Sequence, residues 1–166
     1  MLRRQTRVEF EVSPATFETL ALGAIAGLRS MTAPALLSRA VRRGNLKAPN
    51  LPALGSPKVS TTLTMLMIGE MIGDKTPFVP SRTSAPALLG RLLSGALVGA
   101  TLFASEGRNR NSGAILGALC AAAAAYGGER LRAAAAQDLQ LPDLILAGLE
   151  DRVVLSLGKR VLQRGS

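Results

Sequence analysis

Histidine and tryptophan are absent from this chain, cysteine occurs once, and aromatic residues make up only 3% of its 166 residues. Without histidine, neither a Ser-His-Asp nor a Cys-His constellation can be assembled. Zinc, copper, haem and iron–sulfur sites lose their usual ligands too, so no cofactor or metal is expected, although a hard cation held by carboxylates stays open. A lone Cys120 inside the run Leu119 to Ala125 builds no disulfide framework and reads as a small packing residue. Neither a Walker-type nor a Rossmann glycine pattern occurs, and no enzyme template fits. The missing tryptophan also removes a usual interfacial anchor of membrane proteins, leaving Tyr126 and Phe10, Phe17, Phe78 and Phe103 for that place.

What is present is small and apolar. Hydrophobic residues reach 48% and charged ones 19%, with Ala, Gly and Leu carrying most of the apolar mass. Gly-x-x-x-Gly steps recur at Gly23/Gly27, Gly69/Gly73, Gly95/Gly99 and Gly113/Gly117. Glycines four apart stack on one helical face and let backbones touch, which is how helices associate in lipid. The expected partners are therefore the bilayer and a second copy, a homodimer through the glycine faces. Twenty Lys and Arg stand against eleven Asp and Glu, a formal charge of +9. The basic residues are scattered over the connecting segments with no interleaved aromatics for bases to stack on, so basic loops beside apolar helices are the reading and nucleic acid is not an expected partner.

Hydropathy and breakers predict an all-α polytopic membrane bundle of four to five transmembrane helices. Residues 1–16 form an interfacial tail, and 17–162 a single transmembrane domain with helices near 17–41, 58–75, 85–105, 113–136 and 142–162. Pro49, Pro52, Gly55 and Pro57 close the first loop, Pro77 and Pro80 stop the second helix, and Ser81, Thr83 or Ser84 can cap the third. The last helix carries Glu150, Asp151 and Arg152, which suits a half-membrane or re-entrant element as well as a span. Gly23-Ala-Ile-Ala-Gly27 echoes Gly113-Ala-Ile-Leu-Gly117, and Glu70/Asp74 echo Glu150/Asp151. Across an odd number of crossings these would be halves of an inverted repeat. Five crossings divide the basic residues eight against ten, with the dense loop after the first helix favouring the cytoplasm.

Arg29 is the sharpest anomaly, because a central arginine costs at least ~2.5 kcal/mol to insert and must face protein or a wet cavity. On a continuous helix Thr32 shares its face, opposite Gly23 and Gly27. An ion pair with Glu70 or Glu150 and a substrate-binding role both fit it. Glu70 and Asp74, four apart, put two carboxylates on one face and require a cation or proton, from Arg29, Lys75, a metal ion or a transported proton. Ser81, Arg82 and Thr83 bring hydroxyls and a guanidinium to the amides opening the third helix, an anion-binding arrangement that is also ordinary capping. Arg91 can complete such a pocket or reach the headgroups. Glu150 and Asp151 mirror the acidic pair.

The strings Gly27-Leu-Arg-Ser-Met-Thr-Ala-Pro34, Gly69-Glu-x-x-x-Asp-Lys-x-Pro-x-x-Pro-Ser-Arg-Thr83, Gly90-Arg-x-x-Ser-Gly95, Tyr126-Gly127 and Leu141-Pro-Asp-x-x-x-Ala-x-x-Glu-Asp151 together resemble a bacterial membrane family, domain-of-unknown-function family 4126. The likeness runs from about Gly23 to Gly158. It implies a small polytopic membrane protein with Arg29, Glu70, Asp74, Lys75, Ser81, Arg82, Thr83, Arg91, Glu150 and Asp151 as family-like positions, and it implies no activity. The expectation is small-solute transport or a channel in a bacterial cytoplasmic membrane, proton- or cation-coupled, around a central charged site that includes Thr32. The alternative is a structural or assembly protein whose charges form internal ion pairs.

Overall fold

The computed structural model describes residues 13–73, 84–139, 152, 154–156 and 158. Asp74, Lys75, Ser81, Arg82, Thr83, Glu150 and Asp151 lie outside the described residues, as do residues 1–12 and most of the expected helix 142–162. Within them the chain is all-α: α1 (Pro14–Leu28), α2 (Thr32–Arg42), a 3-10 turn (Pro52–Gly55), α3 (Pro57–Gly73), α4 (Ala85–Ser105) and α5 (Arg110–Leu139). Proline opens most of these elements. Pro14, Pro34, Pro52, Pro57 and Pro86 each sit in a first turn, where the missing N–H has no helical partner to lose.

Pro34 overturns the single helix expected over 17–41. Inside a continuous helix it would leave the Ser30 carbonyl without a donor and drive its ring into that carbonyl. The chain breaks instead at Arg29, whose backbone is extended at φ −142° and ψ 103°. The N–H of Arg29 closes α1 on the Ile25 carbonyl at 2.7 Å, and that of Thr32 turns back to the Arg29 carbonyl at 3.3 Å. The chain then reverses, because Asn45, Leu46 and Lys47, just beyond α2, line the same cavity as Pro14 and Glu18 of α1. α1 and α2 are thus the arms of a hairpin with residues 29–31 at its tip. Fifteen and eleven residues rise only about 22 and 16 Å, short of a ~30 Å hydrocarbon layer. Among the described residues one helix, α4, is long and apolar enough to cross a membrane.

Glycine backbones bring α1, α4 and α5 together. A Cβ added at Gly27 would collide with the Ala121 carbonyl oxygen, at Gly95 with that of Gly117, at Gly99 with that of Gly113, and at Gly117 with that of Gly95. At Gly23 it would stand 2.9 Å from the Cys120 Cβ and 3.0 Å from the Gly117 oxygen. Gly23 therefore meets Gly117 and Cys120, and Gly27 meets Ala121 and Ala124, so α1 and α5 run parallel while α4 runs against both. The extra reversal at the tip makes them parallel, which removes the inverted relation expected between Gly23–Gly27 and Gly113–Gly117. It also corrects the charge sides. Arg42, Arg43, Lys47 and Lys58, all exposed, share the base of the bundle with the start of α1 instead of lying across from it. Gly69 and Gly73 of α3 differ from the other three pairs, with nothing within 4 Å of an added Cβ.

The core is apolar, built on Leu22, Ile25, Leu36, Leu37, Val98, Leu102 and Phe103, but it also encloses polar side chains while large apolar ones stay outside. Glu18, Thr19, Arg29, Thr32, Ser38, Ser60, Arg91, Ser94 and Thr101 are buried. Large apolar side chains line the outside: Phe17 and Leu20 on α1, Met65, Leu66, Ile68 and Ile72 on α3, Leu89 and Leu93 on α4, Ile115 and Leu119 on α5 are all exposed.

Candidate functional site

The break at the hairpin tip builds the site. Residues 30 and 31 leave α1's ladder before α2's has begun, so their N–H groups need outside acceptors. Glu70, from the last turn of α3, supplies them. Its Oε1 accepts from the Ser30 N–H and the Ser30 hydroxyl, and its Oε2 from the Met31 N–H, each at 2.8 Å. A carboxylate at the start of α2 also meets the positive end of that helix dipole. Arg29, in the same tip, is wholly buried, the largest side chain among the described residues to be so.

Arg91 joins this layer through the bundle's register. Gly27 and Gly95 both abut Ala121. Arg29 lies two residues past Gly27, and Arg91 one turn before Gly95 on the antiparallel α4, so both extend in the same direction from that crossing. Arg91 is also buried, at 4% exposure. Thr32, fully buried, has no hydrogen-bond partner for Oγ1 among the described residues. The structure therefore brings Arg29, Thr32, Glu70 and Arg91 to one end of the bundle. The break dissolves the argument that Arg29 and Thr32 share a helical face, since residues 29–31 are not helical. Two guanidiniums and a carboxylate that accepts from neutral donors thus lie at the same end of the bundle.

Ser30 and Met31 are the contacts of Glu70 that residue types did not reveal, because two of the three donors are main-chain N–H groups. Pro34 was the available signal: a proline four residues after Ser30 requires a helix start between them.

A second polar cluster lies at the base, about 20 Å along α1 from the tip at 1.5 Å per residue. Glu106, just past α4, accepts the Ala15 N–H at 2.8 Å through Oε1. Arg108 donates to the Ser13 and Thr16 hydroxyls and stacks 4.2 Å from the centre of the Phe103 ring. Ser13 caps α1, its hydroxyl accepting the Thr16 N–H at 3.3 Å. Arg108 is exposed, so Arg108→Ala is expected to lower stability by less than about 1 kcal/mol. Glu106→Ala, which orphans a helix N-terminal N–H, is expected to cost about 1 kcal/mol in chemical denaturation.

A family model described as a domain of unknown function (DUF4126) matches residues 17–157. No curated protein and no solved structure matches the chain.

Proposed function

Because the chain belongs to the domain-of-unknown-function family 4126, whose description names no activity, we propose a function from its own residues: a polytopic membrane protein that passes a small charged solute by way of the hairpin tip. The large apolar side chains left exposed along α1, α3, α4 and α5, with Arg29 and Arg91 buried between the helices, support membrane embedding and carry this reading. Short paired half-helices that meet at a polar break are how membrane proteins place backbone amides at depth. Arg29 and Arg91 favour an anionic group on the solute, and Glu70 is the carboxylate through which a proton or cation would couple. The described span α4 joins α3 and α5 in a four- or five-helix arrangement with α1–α2 as a re-entrant hairpin. The basic base, with Arg42, Arg43, Lys47, Lys58 and Arg110, faces the cytoplasm on the positive-inside rule. Self-association through glycines falls to α3, since the other three pairs are occupied within the chain.

One observation favours a second, purely structural reading: both Glu70 oxygens are already engaged by the chain's own tip. Cysteine labelling separates the two. In a Cys120→Ala background reconstituted into vesicles, Asn45→Cys is expected to react with an impermeant thiol reagent and Met65→Cys to resist it. Equal reactivity at both would end the membrane reading. Ser30→Cys is expected to react, showing a water path to the tip. Its protection from both faces would leave the structural reading in place of transport.

A further inference from the structure

The base of the bundle holds a cavity of about 230 Å3 lined by Pro14, Glu18, Asn45, Leu46, Lys47, Ser105 and Glu106. Glu18 is 8% exposed and makes no hydrogen bond or ion pair among the described residues. Burial and the neighbouring Glu106 push this carboxyl's pKa up, which favours a proton on it or a cation in the space it faces. From this geometry we infer that the cavity is a binding site for a divalent hard cation of the calcium or magnesium class, held between Glu18 and Glu106.

The donor set is all oxygen. Two carboxylates balance a double charge, while Asn45 contributes an amide oxygen. The Ser105 hydroxyl, which donates to the Leu102 carbonyl at 2.7 Å, keeps its lone pairs for a ligand. Glu106 retains acceptor capacity beside its bond to the Ala15 N–H. Calcium takes six to eight oxygens and magnesium keeps several waters. At about 30 Å3 per water, the cavity admits an ion with a partial hydration shell. Nothing softer is served, since neither histidine nor cysteine lines it. Lys47 lines the mouth, is exposed, and is the cavity's competing cation; Arg108, 4.0 Å from the Glu106 carboxylate, screens the site from one side. The affinity these leave is in the range of weak surface sites, roughly 0.1–1 mM.

The site links three segments that are distant in sequence, α1, the α2 exit and the α4 exit, so occupancy is expected to raise thermal stability. The purified full-length chain, freed of metal with a chelator, is titrated with calcium chloride and with magnesium chloride against a potassium chloride control of equal ionic strength. Thermal unfolding is followed alongside equilibrium dialysis with radioactive calcium. The expected result is saturable binding of one divalent ion and a matching rise in midpoint. Glu18→Gln and, independently, Glu106→Gln are each expected to weaken binding at least tenfold, and Lys47→Ala to strengthen it. Glu106→Gln keeps the oxygen that caps Ala15, so it serves should Glu18→Gln not fold. Absence of saturable binding in the wild-type chain, or undiminished binding in a folded variant, would overturn the inference and leave Glu18 as a protonated acid.

Discussion

Gly99→Ala is expected to unfold the bundle or to cost at least about 3 kcal/mol, the upper end of what a single overpacked methyl usually exacts. The added carbon would land on the Gly113 carbonyl oxygen and 3.0 Å from the Thr19 methyl. The first of these is backbone, which cannot rotate away as a side chain can. Relief requires α4 and α5 to move apart, and the Gly95–Gly117 contact one turn along would open with them. Gly117→Ala should behave alike, and the double substitution should cost less than the sum, because either one alone separates the helices. On α3 the same change has the opposite sign. Gly69→Ala meets open space within the chain and gains helix propensity, so a stabilisation of the monomer by about 0.5–1 kcal/mol is expected, with any dimer packed through α3 weakened. Thermal unfolding of the three variants in detergent tests this, and equal losses at positions 69 and 99 would refute the interhelical register.

Glu70→Ala should be the most damaging change at the hairpin tip, at about 2–4 kcal/mol, since three donors lose a charged acceptor together. Glu70→Gln discriminates further. An amide can still accept at one oxygen, yet its NH2 then faces an N–H or hydroxyl donor at the other position. Roughly half the loss is expected to remain, with the tip's Ser30 and Met31 amides exchanging hydrogen faster than in the parent. Unchanged exchange at those two amides in Glu70→Ala would show that the carboxylate does not hold the tip.

The sequence made much of the frame legible. The boundaries expected for the third helix coincide with α4, Ala85–Ser105, because Pro86 in the first turn defines one end and the polar Glu106 to Ser112 connection the other, although Ser84 at the N-cap position makes no capping hydrogen bond. The second helix agrees with α3 over its described length. α5 starts three residues earlier than expected and continues three further, as polar ends extend a helix beyond its apolar run. The first helix failed because hydropathy is continuous across Arg29 while hydrogen bonding is not, and Pro34 carried that information through a missing donor. At the site, Arg29, Glu70 and Thr32 were visible as charges and hydroxyls out of place. Their shared geometry was not, because its connecting partners are the amides of Ser30 and Met31, and every residue but proline has one. Glu18 and Glu106 escaped notice for a different reason: they lie 88 residues apart, and only the antiparallel course of α1 and α4 makes them neighbours.

The hairpin imposes an order on biosynthesis. Ser30 leaves the ribosome 40 residues ahead of the Glu70 that satisfies it, an interval of roughly two to eight seconds at 5–20 residues per second. Throughout that interval the nascent chain carries an arginine that is buried in the finished fold and two unanswered amides, neither of which an apolar environment accepts. On the membrane reading proposed above, the two arms would wait in water or in the insertion machinery until α3 arrives, so that α1 and α2, made before α3, reach their final place only with it.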